Sequence, residues 1–339
     1  MRFSFRRATT AALVLGLAVV GLSGCAAEPS TPSEDTVTIG LTYTPNIQFA
    51  PFYLAEQKGY FEEQGVHVEL RHHGESEELF GALANGTEDF VFAGGDEIVQ
   101  ARSAGTDVVS IATLYSSYPA ALIVPKDSSI QSGEDLKGHK VGVPGPYGQT
   151  YAALLALLSE AKLGEHDLSL EHIGYTQQAA LTSGKVDAVM GYANNDAVQL
   201  ERAGFPVRVI PAFTGDDESL VGPALAASST SLAAHSASAS KVLIALAKAT
   251  GELIANPEEA MTAAEEFIPT LTSSEQRDAA RATLDATIPF LEAKSGDVRF
   301  ANDEETWQRM VEFMAEHKLL SGETPRAEDT FTNEYLPVQ

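Results

Sequence analysis

The sequence predicts an α/β protein built as two lobes with a ligand cleft between them, and three observations carry that prediction. Past the first few dozen residues roughly 300 remain, too many for one small core and well matched to two. Short apolar runs alternate with amphipathic stretches, as in strands joined by helices into a mostly parallel sheet. The alternation also starts afresh midway, from Gly138 to Val143, before the chain ends in a run of helices.

The amino terminus carries Arg2, Arg6 and Arg7, an apolar run from Ala11 to Leu22, and then Leu22-Ser23-Gly24-Cys25. That order of basic, apolar and small residues is that of a secretory signal, expected over residues 1–24. The apolar run is short for a bilayer span. Leu-Ser-Gly-Cys resembles the bacterial lipobox, which implies cleavage before Cys25 and a lipid on its sulfur. Cys25 is the single cysteine of the chain, and lipidation gives an exported thiol a use. Residues 25–35, rich in Pro, Ser and Thr, have little to pack and read as a flexible tether. The fold is expected to begin near Thr36.

The first strand is expected over Val37–Leu41, where apolar residues alternate with small or polar ones before the turn Thr44-Pro45-Asn46. A helix follows from about Phe49 to Lys58, because Phe49, Phe52, Tyr53 and Leu54 recur at helical spacing and Gly59 suits its end. Val66–Leu70 reads as a strand, Glu77–Ala84 as a helix, and Asp89–Ala93 as a buried strand closed by Gly94-Gly95. Val108–Leu114 and Ala120–Val124 are further strands, the second leaving the first lobe. Gly138–Val143, a helix over Tyr151–Ala161, and a strand near Val207–Ile210 belong to the second lobe. The chain returns through Val221–Ala227 and finishes in helices over Lys241–Ala255, Pro257–Phe267, Ser274–Leu291 and Glu304–His317. Pro257 occupies a favoured first-turn position. Ser228 to Ser240 is an Ala/Ser-rich run. The domain limits are therefore 36–120 plus 221–339 for lobe I and 121–220 for lobe II. In such sheets ligands sit beyond the carboxyl ends of the strands, so the loops there are the place to look.

Tyr43-Thr44-Pro45-Asn46, Pro51-Phe52-Tyr53-Leu54-Ala55 and Lys58-Gly59-Tyr60-Phe61-Glu62-Glu63-Gln64-Gly65 together resemble the NMT1/THI-like family of periplasmic binding proteins. The spacing of two glycines and two aromatics in the last segment is the specific part. Gly59 and Gly65 permit turns there, while Tyr60 and Phe61 pack a helix onto the sheet. The resemblance runs from about Val37 to Pro211. It implies a type II periplasmic-binding fold, a cleft that closes on its ligand, and an ABC permease and ATPase as partners. The segments Pro45–Pro51 and Gly191–Asp196 look most like members that bind flat heteroaromatic vitamins or precursors, the thiamine pyrimidine moiety first and riboflavin beside it. In related members the segment matching Pro144–Thr150 lines the pocket from the second lobe, which implies roles for Tyr147, Gly148 and Gln149; Gly148 equally eases a turn.

The side chains fit a flat ring. Tyr43, Tyr115, Tyr118, Tyr147 and Tyr192 stand at loops and strand ends where they can stack, or else pack the core. Asn46, Gln48, Asp96, Asn194 and Asn195 can read ring nitrogens and amines, since an unmatched analogue leaves buried polar groups unpaired; the asparagines equally suit turns. Asp96 pairs naturally with an aminopyrimidine edge and is also a good helix N-cap. The expected mechanism has the ligand bridge Asn46, Gln48 and Asp96 on one lobe to Tyr147, Tyr192 and Asn194 on the other, stabilising closure.

Other classes fit less well. Removing residues 1–24 takes away three arginines, so the net charge of −25 becomes −28. So acidic a body repels nucleic acid and anionic lipid, leaving a lipid anchor to hold it at the membrane. Alkylsulfonate and nitrate binding call for cations, which are scarce in these loops. His72-His73 are adjacent on an extended chain and point to opposite faces, so no metal is expected. No Gly-x-Ser-x-Gly elbow, P-loop or His-Glu-x-x-His is present, so no catalytic residue and no cofactor is expected. Thiamine-pyrimidine synthase shares the fold but uses a cysteine-rich iron motif that this chain lacks. A monomer is the simplest state for delivery to a permease.

Overall fold

A computed structural model describes residues 35–74, 77–213, 219–293 and 298–337. The expected signal segment, Cys25 and nearly all of the tether lie outside them; β1 begins at Asp35, one residue ahead of the expected start.

Two five-stranded sheets organise the chain. The first contains β1 (Asp35–Leu41), β2 (Val66–His72), β3 (Phe90–Gly94), β4 (Val109–Thr113) and β10 (Pro223–Ala227), in the order β2-β1-β3-β10-β4. The second contains β5 (Ala120–Pro125), β6 (Lys140–Val143), β7 (Ser169–His172), β8 (Ala188–Tyr192) and β9 (Val207–Pro211), in the order β7-β6-β8-β5-β9. Lobe I is built on the first sheet and lobe II on the second. Within each, the strands pair parallel except for one antiparallel member, β10 in lobe I and β5 in lobe II. The exception has a topological cause. β4 and β9 end facing the other lobe, so the strand entered by crossing over must run away from it.

Lobe I carries α1 (Ala50–Gln57), α2 (Tyr60–Glu63), α3 (Gly81–Ala84) and α4 (Gly95–Ser103); lobe II carries α5 (Gly148–Glu160), α6 (Gln177–Thr182) and α7 (Asp196–Arg202). The tail forms α8 (Ser229–Ala255), α9 (Pro257–Phe267), α10 (Ser274–Leu291) and α11 (Glu304–Glu316). One face of sheet one buries Phe52, Tyr53, Leu54 and Phe61 against α8 and α9. Each such side chain contributes about 1.5–3 kcal/mol when fully buried. The other face packs Ile98, Val99 and Trp307 into a core that runs on into lobe II through Leu122, Leu154 and Met190. Gly59 and Gly65 both take positive φ, and Tyr60 and Phe61 between them are buried, as their spacing predicted.

The helix expected over Glu77–Ala84 is only the single turn α3. The Ala/Ser-rich run is the first part of α8, which bends at His235, where φ is −123°. There the imidazole lies 3.0 Å from Asp35 and 3.3 Å from Asp89, tying the bend to sheet one. Among the described residues no helix is long and apolar enough to cross a membrane.

Candidate functional site

The candidate residues stand at strand ends and helix starts of both lobes. From lobe I come Tyr43, just past β1, and Asp96 and Glu97 in the first turn of α4. From lobe II come Tyr147 and Gln149 at the start of α5, Tyr175 after β7 and Tyr192 at the end of β8. Tyr43 and Tyr147 are 52% and 51% exposed, high values for aromatic side chains, and Tyr175 reaches 77%. The pKa of the Tyr175 hydroxyl is raised, first by partial burial and then by Tyr147, which hydrogen-bonds it, and by Glu97 and Tyr43. Tyr175 was not among the residues read from the sequence. It stands at the carboxyl end of β7, the position that marks the others, but that half-exposed strand gives no apolar run.

Behind the tyrosines the polar groups are buried. Asp96 is 4% exposed and Gln149 6%. The Gln149 amide donates to Asp96 Oδ1 at 3.5 Å, its side-chain oxygen accepts from the Tyr192 hydroxyl at 2.9 Å, and its backbone carbonyl accepts from the Tyr118 hydroxyl at 3.1 Å. Tyr118 also hydrogen-bonds the Asp96 carboxyl. Burial, then the neighbouring Glu97, pushes the Asp96 pKa up to about 7. Glu97 and Asp196 are likewise raised by burial. Among the described residues no ion pair involves any of these three carboxyls, and burial favours their neutral, protonated forms. Beside them a cavity of about 140 Å³ is lined by Asp96 and Gln100, by Tyr147, Gly148 and Tyr151, and by Lys318 of the tail.

Other expected residues are engaged elsewhere. Asn46 caps the short 3₁₀ turn at Ile47–Phe49, its Oδ1 accepting from the Gln48 N–H at 3.1 Å, so its side chain does turn chemistry. Gln48 is half-buried on that turn. Asp96 is not the cap of α4: Gly94 holds that position, and Glu97 reaches back to accept from its N–H at 2.7 Å, a bond the longer side chain can span. Gly148 has φ +71°, which serves the turn into α5. Asn194 is fully buried and donates to Thr287 Oγ1 of α10 at 3.0 Å. Its own Oδ1 has no partner. Asn195 is half-buried beside it. Tyr115 is core, stacked on Phe290 with ring centres 6.0 Å apart. A cavity of about 570 Å³ around Tyr115, Ser116, Gly222, Phe300 and Asn302 follows the crossing segments instead. Of the expected residues it touches only Tyr115, and it gathers none of the cross-lobe contacts made by Asp96 and Gln149.

His72 and His73 face apart, as expected: His72 Nε2 lies 3.0 Å from the Tyr53 hydroxyl, and His73 Nε2 2.8 Å from Glu88. Among the described residues no group of three metal-ligating side chains assembles.

The model of the family described as NMT1/THI5 like matches residues 46–260. The chain is 33% identical over 312 residues to the riboflavin-binding protein RibY of Chloroflexus aurantiacus, covering 90% of this chain and 87% of that protein. It is 28% identical over 196 residues to the formylaminopyrimidine-binding protein of Halalkalibacterium halodurans, covering 56% and 58%. In fold it resembles the periplasmic aliphatic sulphonate binding protein SsuA of Escherichia coli, with a TM-score of 0.70 at 19% identity over 87% of this chain and 91% of that one.

Proposed function

The chain belongs to the NMT1/THI5-like family, and on that premise we propose that it is the extracytoplasmic, lipid-anchored substrate-binding subunit of an ABC importer. Its ligand is a planar heteroaromatic vitamin or precursor, riboflavin ahead of the thiamine pyrimidines. One observation carries this: at the strand ends of both lobes stand exposed tyrosines, and with them a buried hydrogen-bonded group of Asp96, Gln149 and Tyr192 that joins the lobes. Aromatic walls suit a ring, and each good stacking pair adds about 0.5–1.5 kcal/mol. Buried carboxyls without a paired lysine or arginine offer an anion little to bind, which disfavours sulfonate and nitrate, so the likeness to SsuA supports the fold alone. Riboflavin moves ahead of the pyrimidines because the riboflavin binder is 33% identical over 90% of this chain, against 28% over 85% for a putative thiamine biosynthesis protein of Haemophilus influenzae and 28% over 56% for the formylaminopyrimidine binder. The synthase relatives likewise match only half of the chain. The lipid anchor rests on Leu22–Cys25, and permease delivery on the binding-protein fold.

Thermal unfolding of the full chain with riboflavin, hydroxymethyl- and formylaminopyrimidine, thiamine, taurine and nitrate tests the reading. At 100 times its dissociation constant a true ligand adds about 2.7 kcal/mol of stability. Riboflavin is expected to raise the melting temperature. A response to taurine or nitrate with silence from every ring compound would sink the proposal.

A further inference from the structure

Gln149 of lobe II reaches across the boundary between the lobes to Asp96 of lobe I, and the room it occupies lies over Gly94. A β-carbon built on Gly94 would stand 2.6 Å from Asp96 Oδ1 and 2.7 Å from Gln149 Nε2, closer than such atoms approach. Gly94 has φ −66° and ψ 145°, a conformation open to any residue. Backbone freedom therefore does not require glycine there; the space taken by the cross-lobe contact does. Gln149 is also held in orientation, because the Tyr192 hydroxyl donates to its oxygen and so turns its amide nitrogen toward Asp96. Tyr118, on the segment joining the lobes, anchors the Gln149 backbone.

We infer that Gly94 is a positioning residue for a cross-lobe latch, Tyr192–Gln149–Asp96, which draws the lobes together in the ligand-free protein and sets how far the cleft is closed before ligand arrives. The inference goes beyond the ligand reading and does not depend on it, because every contact in the latch is between side chains of this chain. The latch makes part of the closing motion independent of ligand.

The test uses a pair of spin labels, one attached through Glu62→Cys and the other through Lys185→Cys, exposed positions on the two lobes, in the full chain carrying Cys25→Ser. Distances are measured without ligand. Gly94→Ala and Gln149→Ala are each expected to lower the ratio of short to long separations roughly two- to twelve-fold, the equilibrium equivalent of one ordinary hydrogen bond. Adding Gly94→Ala to Gln149→Ala should change nothing more, since Asp96, the other side chain it crowds, then has no cross-lobe amide left to lose. Unchanged separations in Gly94→Ala overturn the inference, as does an undiminished Gly94→Ala effect in the Gln149→Ala background, which would place its cause inside lobe I. If Gly94→Ala fails to fold, Gln149→Ala decides alone, unchanged separations again overturning the latch. The ligand screen stays a separate readout, so either proposal can fail without the other.

Discussion

Asp96 couples the site to pH. Glu97 on its own helix, Tyr118 on the crossing segment and Tyr192 of lobe II face it, and Lys318 lines the cavity beside it. Its carboxyl sits at about 7 in the folded chain, against about 3.9 when unfolded. Between those values the folded state holds a proton that the unfolded state has released, so stability falls as pH rises. This contribution is full below about pH 4 and gone once pH has risen through 7. We predict that melting temperature drops from pH 5 to pH 8 more in the wild type than in Asp96→Asn; equal slopes would rule out Asp96 as the source. Tyr175 makes a second residue-scale case. Losing its ring by Tyr175→Ala is expected to weaken riboflavin binding roughly two- to twelve-fold, the range of one stacking pair, with melting temperature unmoved because the side chain is exposed. Calorimetric affinity unaltered by the change would take Tyr175 out of the site. That Tyr43, Tyr147 and Gln149 stand at turns and helix starts was legible because they follow strands or turns with clear punctuation. The cap made by Asn46 and the burial of Asn194 were not, since an asparagine in a turn and one under a helix carry the same local signal.

At the scale of elements, strands and helices with strong periodicity stood where the sequence put them, whereas weakly patterned ones did not. Ser228–Ser240 offers small residues on every side, so nothing in its pattern marks a buried face; contacts with sheet one and with Asp35 and Asp89 make it helix. Glu77–Ala84 fails in the other direction: Glu77 and Glu78 are exposed, Phe80 is buried just ahead of the helix, and only Gly81–Ala84 closes a turn. β7, α6 and α7 are too short to announce themselves. The turn between α1 and α2 rests on Gly59 at φ +67°. There Gly59→Ala must adopt a left-handed conformation at about 1–2 kcal/mol, so urea unfolding should show that loss of stability while riboflavin affinity stays constant. A neutral effect on stability would show that the turn can relax to negative φ.

For the molecule as a whole, the two lobes are unequal in how the chain builds them. β5 to β9 are contiguous, so sheet two contains only strands that follow one another in sequence. Sheet one is interrupted: β10, read more than a hundred residues after β3, lies between β3 and β4 and pairs with both. Until Pro223–Ala227 is available, β3 and β4 have no common neighbour and the core around Phe92 and Ile111 stays open. Pulse-labelled hydrogen exchange during refolding should therefore protect amides of β5, β6 and β8 before those of β3 and β4, and simultaneous protection would count against this order. The segment made first thus finishes last. A chain emerging from its amino end would carry its leading half as an unfinished sheet, completed only when a strand from beyond the second lobe slots into the gap.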